Sequence, residues 1–459
     1  MKSVQVALIS LFLLSPNLLQ AQDGWQELFN GQNFDGWEVL GGNADYYIED
    51  DVIVGEAVPN TPNSFLTTTR DYSDFILEYD VYLDNSLNSG VQIRSNSNPD
   101  YRNGRVHGYQ VEIDPSDRAW TGGIYDEGRR GWLYPLSLNP QAGSAFRSAQ
   151  WNRFRVEAIG NTINIWVNGI HATRLVDDMT DQGFIGLQVH SINNEALVGA
   201  QIKWRNLRIR TENLEEHRTS PDPNVAEASY LVNKLSEREK RNGWRLLWDG
   251  ESSKGWRSAK SNEFPSSGWE MENGELTVRA TRGEGATRPG DIITEDLYSD
   301  FELELEFRIT EGANSGIKYY VDPVLLQAEG AAIGTEFQVL DDQRHPDAKQ
   351  GVNGNRTVGS LYDLIAAENL SVPGSSKRFS GPGSWNKARI VSRDGNVEHW
   401  LNNLKVVEYN RFSQVFQALV TNSKYEVWNG FAQGPEGHIL LQDHNDEVSF
   451  RNVKIREFK

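Results

Sequence analysis

Apolar and polar residues alternate with a period of two along most of the chain, which predicts β-strands rather than helices. In the stretch FELELEFRI, Phe301–Ile309, the apolar residues fall on one face of a strand and the charged residues on the other. We expect its three glutamates, Glu302, Glu304 and Glu306, to face solvent, as the polar side of a half-exposed sheet does. Many such stretches, separated by Gly, Asn and Asp turns, predict an all-β chain built from antiparallel sandwiches or jelly rolls.

The same pattern occurs twice in the same order, which indicates a duplicated domain. The shortest sign of the repeat is NSGVQIR at Asn88–Arg94 and NSGIKYY at Asn314–Tyr320. The other matching pairs are Leu28–Val39 with Leu247–Ser258, Asp71–Leu83 with Leu297–Ile309, Gly108–Asp114 with Glu336–Asp342, Gly122–Glu127 with Gly359–Leu364, Trp151–Gly169 with Trp385–Asn403, and Ile185–Arg210 with Ile439–Arg456.

The repeat divides the chain into two domains and a linker. We expect sandwiches at 24–211 and 243–459, joined by a linker at 212–242 that begins with a polar, proline-containing stretch. Within this linker, Val225–Arg241 predicts one helix with Asn224 as its N-cap.

Composition and charge limit the classes of binding partner and the cellular compartment that we expect for the protein. The net charge of −19 argues against a nucleic-acid or anionic-membrane surface. The absence of cysteine excludes disulfides, thiolate metal sites and a lipid anchor on an N-terminal cysteine. Residues 1–21 are typical of a signal peptide, because the apolar run Val6–Leu14 follows Lys2 and is too short to span a bilayer. We therefore expect a secreted or periplasmic protein without membrane insertion, whose oligomeric state stays open.

The motifs of the C-terminal copy resemble those of the 3-keto-disaccharide hydrolase family, formerly a domain of unknown function. The resemblance covers nearly all of 243–459 and rests on LWDGESSKGW, NSGIKYY, TEFQVLDDQRHPDAK, GSLYDLI and ILLQDHNDEVSFRNVKIR. The N-terminal copy resembles a divergent member, since it retains LFNGQNFDGWE, NSGVQIR and LQVH. The resemblance implies two tandem concanavalin A-like jelly-roll sandwiches. It also implies cleavage of glycosides oxidised at sugar C3, by elimination or hydrolysis after loss of the C2 proton.

Such a reaction needs a general base for the C2 proton, a partner for the enolate oxygen and an acid for the leaving oxygen. On the non-core faces of the C-terminal copy, His444 and Glu336 are the predicted catalytic residues, because a neighbouring carboxylate raises the pKa of an imidazole. The predicted substrate-binding residues are Gln338, Gln442, Lys318, Asn314, Tyr362 and Trp400. The predicted set in the N-terminal copy is Gln110, Glu112, Arg94, Gln188, His190 and Tyr125.

The two copies differ at the predicted carboxylate. Aligning GYQVEID with EFQVLDD pairs Gln110 with Gln338 and puts Gly108 at the position of Glu336. Glu112 then supplies a carboxylate one strand step further along the N-terminal copy. We therefore expect the C-terminal copy to carry most of the activity.

Structural interpretations compete with the functional ones at the histidines. His444 and His190 recur in LQDH and LQVH, but a titratable strand residue in water is about as common as a catalytic one. His399 aligns with Ile165 at a core position, and side-chain direction alternates along a strand, so we expect it to be structural.

A divalent metal ion is an open alternative for the C-terminal copy. The loop Asp341–Lys349, DDQRHPDAK, offers carboxylate and imidazole ligands, but its spacing matches no defined metal motif. If a metal binds, His444 becomes a ligand and Glu336 the better base.

Three functions are compatible with the sequence. The leading hypothesis is an enzyme that cleaves 3-keto-glycosides, and its partner is then a carbohydrate substrate. The alternatives are a non-catalytic carbohydrate-binding protein with two lectin-like sandwiches and a structural or adhesive surface protein. A cavity in which a histidine, a carboxylate and a cation converge favours the enzyme, whereas aromatic platforms and amides suffice for a binding protein.

Overall fold

Two β-sandwiches follow one another along the chain, which confirms the predicted all-β class. The computed structural model describes residues 24–281, 288–322 and 332–458. The predicted signal peptide at 1–21 lies outside these residues. Among the described residues, no helix combines the length and the apolar character needed to cross a bilayer.

The N-terminal sandwich consists of a nine-stranded sheet, here sheet I, and a seven-stranded sheet, here sheet II. Its strands are β1 (Gln26–Glu27), β2 (Trp37–Gly41), β3 (Asp45–Glu49), β4 (Val52–Glu56), β5 (Ser64–Thr68), β6 (Phe75–Tyr82), β7 (Ser89–Asn96), β8 (His107–Ile113), β9 (Ile124–Glu127), β10 (Gly131–Tyr134), β11 (Trp151–Ile159), β12 (Thr162–Val167), β13 (Ile170–Val176), β14 (Phe184–Val189), β15 (Gln201–Arg210) and β16 (Ala228–Ser229).

The C-terminal sandwich consists of an eight-stranded sheet, here sheet III, and a five-stranded sheet, here sheet IV. Its strands are β17 (Arg245–Leu246), β18 (Trp256–Ser258), β19 (Trp269–Glu272), β20 (Glu275–Val278), β21 (Ile292–Thr294), β22 (Phe301–Ile309), β23 (Asn314–Asp322), β24 (Ile333–Leu340), β25 (Asn386–Arg393), β26 (Asn396–Leu401), β27 (Leu404–Asn410), β28 (His438–Leu441) and β29 (Val448–Glu457).

The α-helices of the described residues are α1 (Glu237–Arg241) in the linker and α2 (Gln414–Thr421) between β27 and β28. Short 3-10 helices lie at Leu136–Leu138, Pro140–Ser144, Glu195–Leu197, Leu214–His217, Pro346–Lys349 and Lys424–Val427.

The two sandwiches share one strand order. Sheet I contains the run β13-β12-β11-β6-β15-β4-β3, and sheet III runs β27-β26-β25-β22-β29-β20-β19. Sheet II contains β8-β7-β14-β5-β2, and sheet IV runs β24-β23-β28-β21-β18. Each strand therefore has its counterpart at the same place in the other copy, apart from β16, β9 and β10, which extend sheets I and II.

Each core lies between the two sheets of its sandwich. In the C-terminal copy, the five large apolar residues of β22 are buried in one cluster with Ile317 of β23, as the alternation predicts. His399 lies in the same core, where its Nε2 is 2.8 Å from the Tyr319 hydroxyl and its Nδ1 3.0 Å from the Gly359 carbonyl. Burial lowers the pKa of His399 to about 4, so this imidazole is a neutral structural residue.

The prediction that the glutamates of β22 face solvent is wrong. Glu302 and Glu306 are buried. The guanidinium groups of Arg389 and Arg456 donate to Glu302 at 2.5 and 2.6 Å, and Arg451 donates to Glu306 at 2.7 Å. The neighbouring strands β25 and β29 thus supply the counter-charges that permit burial of this polar face.

Glu304 is covered by the linker. The Nζ atoms of Lys387 and Lys454 each lie 2.8 Å from its Oε1. Lys454 also contacts Glu239 of α1, and Lys387 donates to the Ser229 carbonyl of β16 at 3.0 Å. Burial alone would raise the pKa of Glu304, but the two lysines lower it to about 2.

The linker contains a much shorter helix than predicted. The N-cap of α1 is Ser236 rather than Asn224, because the Ser236 hydroxyl accepts a hydrogen bond from the Glu239 amide at 3.0 Å. Upstream, Val225 and Ala228 are buried in the N-terminal core, and β16 pairs in parallel with β13. Extended pairing at the edge of sheet I outweighs the helix propensity of this stretch.

A hairpin tip of the C-terminal sandwich docks on the N-terminal sandwich. The hairpin β12–β13 turns at Asn168–Gly169 and the hairpin β26–β27 at Asn402–Asn403, and all four residues have positive φ, as type I′ turns require. The Asn403 side chain donates to the Leu133 carbonyl at 3.0 Å and to the Tyr230 hydroxyl at 2.8 Å. The two copies therefore contact each other directly.

Candidate active site

The NSG pattern shapes the floor of a cavity in each sandwich. The hydroxyl of Ser315 donates to the carbonyl of Gln442, the residue directly after β28, at 2.8 Å and so ties β23 to the end of β28. Gly316 leaves room for the side chain of Glu336, since a Cβ at Gly316 would lie 2.2 Å from the Glu336 Oε1. The glycine of the pattern is thus needed so that a neighbouring side chain can lie across it.

A cavity of ≈ 340 Å³ opens on sheet IV and gathers most of the residues predicted for the C-terminal copy. It is lined by seven of the eight predicted residues, which are Asn314, Lys318, Glu336, Gln338, Tyr362, Gln442 and His444. The predicted place of His444 on the strand is wrong, because β28 ends at Leu441 and His444 lies in the following loop. The Asp443 side chain accepts from the amides of Gly290 and Asn445, each at 3.0 Å, and so holds this loop away from the ladder.

Glu336 and Lys318 form the charged centre of the cavity. Both are buried, and the Lys318 Nζ lies 4.0 Å from the Glu336 Oε2. Lys318 also donates to the Ala332 carbonyl at 3.1 Å. Burial raises the pKa of Glu336, while Lys318 and Lys424 act in the opposite direction. A carboxyl with a raised pKa is suited to proton transfer near neutral pH.

Two buried polar atoms at the cavity have no hydrogen-bond partner among the described residues. They are the Gln338 Nε2 and the Asp291 Oδ2. The other oxygen of Asp291 accepts from the Asp443 amide at 2.9 Å, and burial raises the pKa of Asp291. Buried polar groups in native proteins almost always have partners, so these atoms mark a place for a polar ligand.

Tyr362 is positioned for binding rather than as a free acid. Its hydroxyl donates to the Asp347 Oδ2 at 2.7 Å, and the Lys424 Nζ lies 4.0 Å from its ring. Burial and the hydrogen bond to Asp347 raise the pKa of Tyr362 far above its ordinary value. This phenol therefore stays protonated and turned toward a carboxylate.

Three residues beside the cavity could hold a metal ion. The ligand atoms of His345, His444 and Asp446 all lie within 4.8 Å of one another. Two imidazoles and a carboxylate suit a divalent transition metal. Of the predicted loop Asp341–Lys349, only His345 takes part. The Asp341 side chain instead accepts backbone amides of its own loop.

Trp400 does not lie in the cavity. It belongs to β26 of sheet III, on the other sheet of the sandwich. Its Nε1 donates to the Glu398 Oε2 at 2.7 Å, and the Arg389 guanidinium lies 4.9 Å from its ring. The alternation predicts a non-core face for Trp400, but this face belongs to sheet III, whereas the cavity opens on sheet IV.

The N-terminal sandwich has a wider cavity of ≈ 850 Å³ on sheet II, lined by the predicted residues Gln110, Glu112, Tyr125 and His190. Glu112 accepts from the side-chain amides of Asn88 at 2.7 Å and Gln110 at 3.0 Å. Burial raises the pKa of Glu112 to about 7, although these two hydrogen bonds act against the shift.

Gln188 and Arg94 do not line this cavity. Gln188 is fully buried below it and donates to the Gln110 Oε1 at 2.8 Å. Arg94 lies at a bulge of β7 with φ of 45°, which turns its side chain into the protein. Its guanidinium donates to the carbonyls of Ser73 and Gly160, each at 2.7 Å, and pairs with Asp74 at 2.9 Å. Arg94 is therefore a structural clamp and not an enolate partner.

The strand register shows that the predicted alignment of the two copies is wrong by two residues. Glu336 of β24 lies opposite Lys318 of β23, and Gln110 of β8 lies opposite Gln92 of β7. Gln110, and not Gly108, is therefore the counterpart of Glu336. The charged pair of one copy is an amide pair in the other, and the Gln92 Nε2 donates to the Gln110 Oε1 at 2.7 Å.

The carboxylate and the amide of this strand have exchanged places between the copies. Glu112 lies opposite Gly90, and Gln338 lies opposite Gly316. A Cβ at Gly90 would lie 2.4 Å from the Gln110 Cγ, which repeats the arrangement at Gly316. Both cavities thus share one backbone frame but carry the carboxylate one strand step apart.

The family model of the 3-keto-alpha-glucoside-1,2-lyase-like domain matches residues 24–210 and 243–456. The chain belongs to this family. A 3-keto-disaccharide hydrolase of Bacteroides thetaiotaomicron is 35% identical over 234 residues, which cover 47% of this chain and 78% of that protein. The family is carbohydrate-active, and both copies carry its fold.

Solved structures also resemble the chain. A candidate glycosyl hydrolase of Parabacteroides distasonis is 27% identical, covers 50% of this chain and 100% of its own, and has a TM-score of 0.43. The carbohydrate-binding module CBM66 of Bacillus subtilis is 17% identical, covers 38% of this chain and 95% of its own, and has a TM-score of 0.28.

Several charged residues that line the cavity of the C-terminal copy were not predicted from the sequence. Asp291 lies directly before β21, and Lys424 lies in the segment between β27 and β28. Asp291 has an apolar counterpart in Phe65, so the repeat does not mark it. The long segment from β27 to β28 is the clearest signal that could have found Lys424, because the N-terminal copy has only a short turn there.

Proposed function

We propose that the C-terminal sandwich cleaves the glycosidic bond of 3-keto-glycosides, with Glu336 as the base that removes the C2 proton. The observation that carries this proposal is the buried Glu336 with a raised pKa, held across Gly316 and 4.0 Å from the Lys318 ammonium. The printed names of the family and of the Bacteroides relative support the substrate class.

The cavity offers a partner for each charge that develops. A carbonyl at C3 makes the C2 hydrogen acidic, and the proton passes to the Glu336 carboxylate. The electron pair moves to the C3 oxygen, where the Lys318 ammonium and the free Nε2 of Gln338 are available donors. Return of this pair to form the C1–C2 double bond breaks the bond from C1 to the leaving oxygen.

The leaving oxygen needs a proton, and Asp291 is the best placed acid. Its Oδ2 is buried without a partner among the described residues, and burial raises its pKa, which favours the protonated form. Water added across the double bond of the product would complete a net hydrolysis. His444 lies at the same cavity, either as a second base or as a metal ligand with His345 and Asp446.

The test uses the full chain with p-nitrophenyl 3-keto-glucoside and the parent p-nitrophenyl glucoside. We expect release of nitrophenol from the keto substrate only, with loss of the C2 hydrogen. In D2O, addition of solvent across the C1–C2 double bond should then put deuterium at C2 of the hydrolysis product. Release from both substrates at similar rates contradicts the requirement for the C3 carbonyl. Binding of either compound without release or exchange favours the alternative of a non-catalytic carbohydrate-binding protein.

We also propose that the chain is exported through residues 1–21. The apolar run that follows Lys2 supports this proposal. N-terminal sequencing of the mature protein from its native host tests it, and we expect a start close to Gln22. An intact Met1 in the mature protein would contradict export by cleavage.

A further inference from the structure

Arg378 of the C-terminal sandwich reaches across the domain boundary to two tryptophans of the N-terminal sandwich. Its Cζ lies 4.9 Å from the ring of Trp120 and 5.6 Å from the ring of Trp132. The backbone at Arg378 is held with φ of 56°, and Asn402 donates to its carbonyl at 2.7 Å. The side chain is therefore fixed at the junction by both copies.

A second guanidinium lies on the same two rings. The Arg118 Cζ is 4.6 Å from the ring of Trp120 and 5.0 Å from the ring of Trp132. Arg118 pairs with Asp114 at 2.8 Å. Among the described residues, the Arg378 guanidinium has no hydrogen bond and no ion pair. The junction thus holds two like charges side by side, of which Arg118 is paired with a carboxylate and Arg378 is attracted only by the more distant charges of Glu112 and Asp114.

Arg378 remains a cation at neutral pH. Burial and the neighbouring Arg118 lower its pKa to about 10, which is still well above physiological pH. A guanidinium presents planar paired donors that match a carboxylate or a sulfate. Two of them, one without an acidic partner, form an anion-binding arrangement within a strongly acidic chain.

The space next to these arginines suits a sugar ring. Trp132 and Tyr125 line both the N-terminal cavity and an interdomain cleft of ≈ 570 Å³, and Arg378 lines the cleft. The cavity also presents the polar side chains of Gln110 and Glu112. An aromatic face beside hydrogen-bonding groups is the usual composition of a saccharide site.

We propose that this junction binds an anionic saccharide, with its carboxylate or sulfate group between Arg118 and Arg378 and its ring against Trp132. The site needs both sandwiches, because Arg378 comes from the C-terminal copy and the tryptophans from the N-terminal copy. It is separate from the Glu336 cavity, and its occupancy does not depend on the proposed cleavage reaction.

The experiment is calorimetric titration of the full-length protein with four compounds at one ionic strength. They are methyl glucuronide, glucose 6-sulfate, methyl glucoside and inorganic sulfate. We expect one of the two anionic sugars to bind with one-to-one stoichiometry and at least about tenfold more tightly than methyl glucoside. Which anionic sugar binds tells whether the group is a carboxylate or a sulfate.

Four variants locate the binding. Arg378→Met and Arg118→Met should each weaken the anionic sugar by about tenfold or more, since each removes a charged hydrogen-bond donor but keeps an apolar stem. Arg378→Lys should retain part of the affinity. Arg279→Met changes an exposed arginine that pairs with Glu270 and Glu447 and does not line the junction, so it should leave the affinity for the anionic sugar unchanged. If Arg378→Met fails to fold, the affinity of Arg118→Met for the anionic sugar decides whether the arginines bind it.

Three results would overturn the proposal. The first is equal affinity for methyl glucoside and the anionic sugars, or binding of none of the four. The second is binding of inorganic sulfate as tight as that of the sugars, which would reduce the junction to a simple anion site. The third is unchanged affinity in Arg118→Met and in folded Arg378→Met, which would leave the arginines as interface residues only.

Discussion

Glu336 and Gln110 occupy the same position in the two sandwiches, each across from the residue two places after the glycine of the NSG pattern. Lys318 faces Glu336, and Gln92 faces Gln110. One copy therefore holds a buried ion pair where the other holds a pair of amides. Proton transfer is available at this position in the C-terminal copy only.

Glu336→Gln gives the C-terminal copy the residue that the N-terminal copy carries there. We expect turnover of a 3-keto-glucoside to fall by about 10²–10⁴, the usual effect of losing a general base. Folding should be preserved because the amide has the same shape. The exposed Glu408 provides the control, and Glu408→Gln should behave like the parent. Turnover of Glu336→Gln within a few-fold of the parent would remove Glu336 as the base.

Gly316→Ala should displace the Glu336 carboxylate, because the new Cβ would lie 2.2 Å from its Oε1. We expect a loss of turnover of about 10²-fold or more, since misplacing a catalytic group by about 1 Å has an effect of this size. The matched change is Gly90→Ala, where the Cβ would lie 2.4 Å from the Gln110 Cγ of the other copy. Equal losses in both variants would point to a site shared by the two sandwiches.

The pH dependence of the reaction should report Glu336. Burial raises its pKa above the usual value, and the base must be ionised, so kcat/KM should rise with pH through a limb above about pH 4.5. Lys318 lowers this pKa, so Lys318→Met should shift the limb to higher pH as well as reduce the rate. A limb that stays in place in Lys318→Met would show that another group titrates.

His444→Ala should lower turnover by about 10²–10⁴ with folding intact. His345→Ala then separates the two roles of His444. If His444 is a metal ligand, His345→Ala and a chelator should cause similar losses, and metal analysis should show one ion less. If His444 is a base, neither should matter. Turnover of His444→Ala near that of the parent would make it a bystander at the cavity.

Lys454→Met should destabilise the fold by about 3–5 kcal/mol, because it leaves Glu239 buried without its counter-charge and removes one of the two lysines that neutralise Glu304. Lys405→Met, which removes pairs that are more exposed than those of Lys454, should cost less than about 1 kcal/mol. Denaturant titration measures both. A small effect of Lys454→Met would mean that water reaches the cluster.

Acid should weaken the same cluster in the parent protein. The pKa of Glu304 is about 2 in the folded state and near 4.5 when unfolded. Its stabilising contribution is therefore complete above about pH 4.5 and is lost as the pH falls toward 2.

The repeat, the all-β class and the faces of the strands were predictable, because alternation in β22 and the paired motifs are local signals. The alignment of β8 in the N-terminal copy with β24 in the C-terminal copy was not predictable. A slip of two residues keeps every side chain on its own face, so the alternation is identical in both alignments. Only the partners across the ladder, Lys318 for Glu336 and Gln92 for Gln110, distinguish them.

Longer-range packing explains the other differences. The burial of Glu302 depends on arginines of β25 and β29, and the strand β16 depends on the free edge of β13. Arg94 turns inward because of a bulge that alternation cannot reveal. Such contacts join residues far apart in the chain and leave no periodic trace.

The docking of the hairpin tip at Asn403 has a consequence for the assembly of such repeats. Its acceptor, the Leu133 carbonyl, belongs to β10, an extension that sheet IV lacks among the described residues. The contact is heterologous, since it joins two different surfaces, the hairpin tip of the C-terminal copy and β10 of the N-terminal copy. A head-to-tail contact of this kind would propagate if every copy carried both surfaces. Because sheet IV has no strand equivalent to β10 among the described residues, this contact joins the two copies in one direction only.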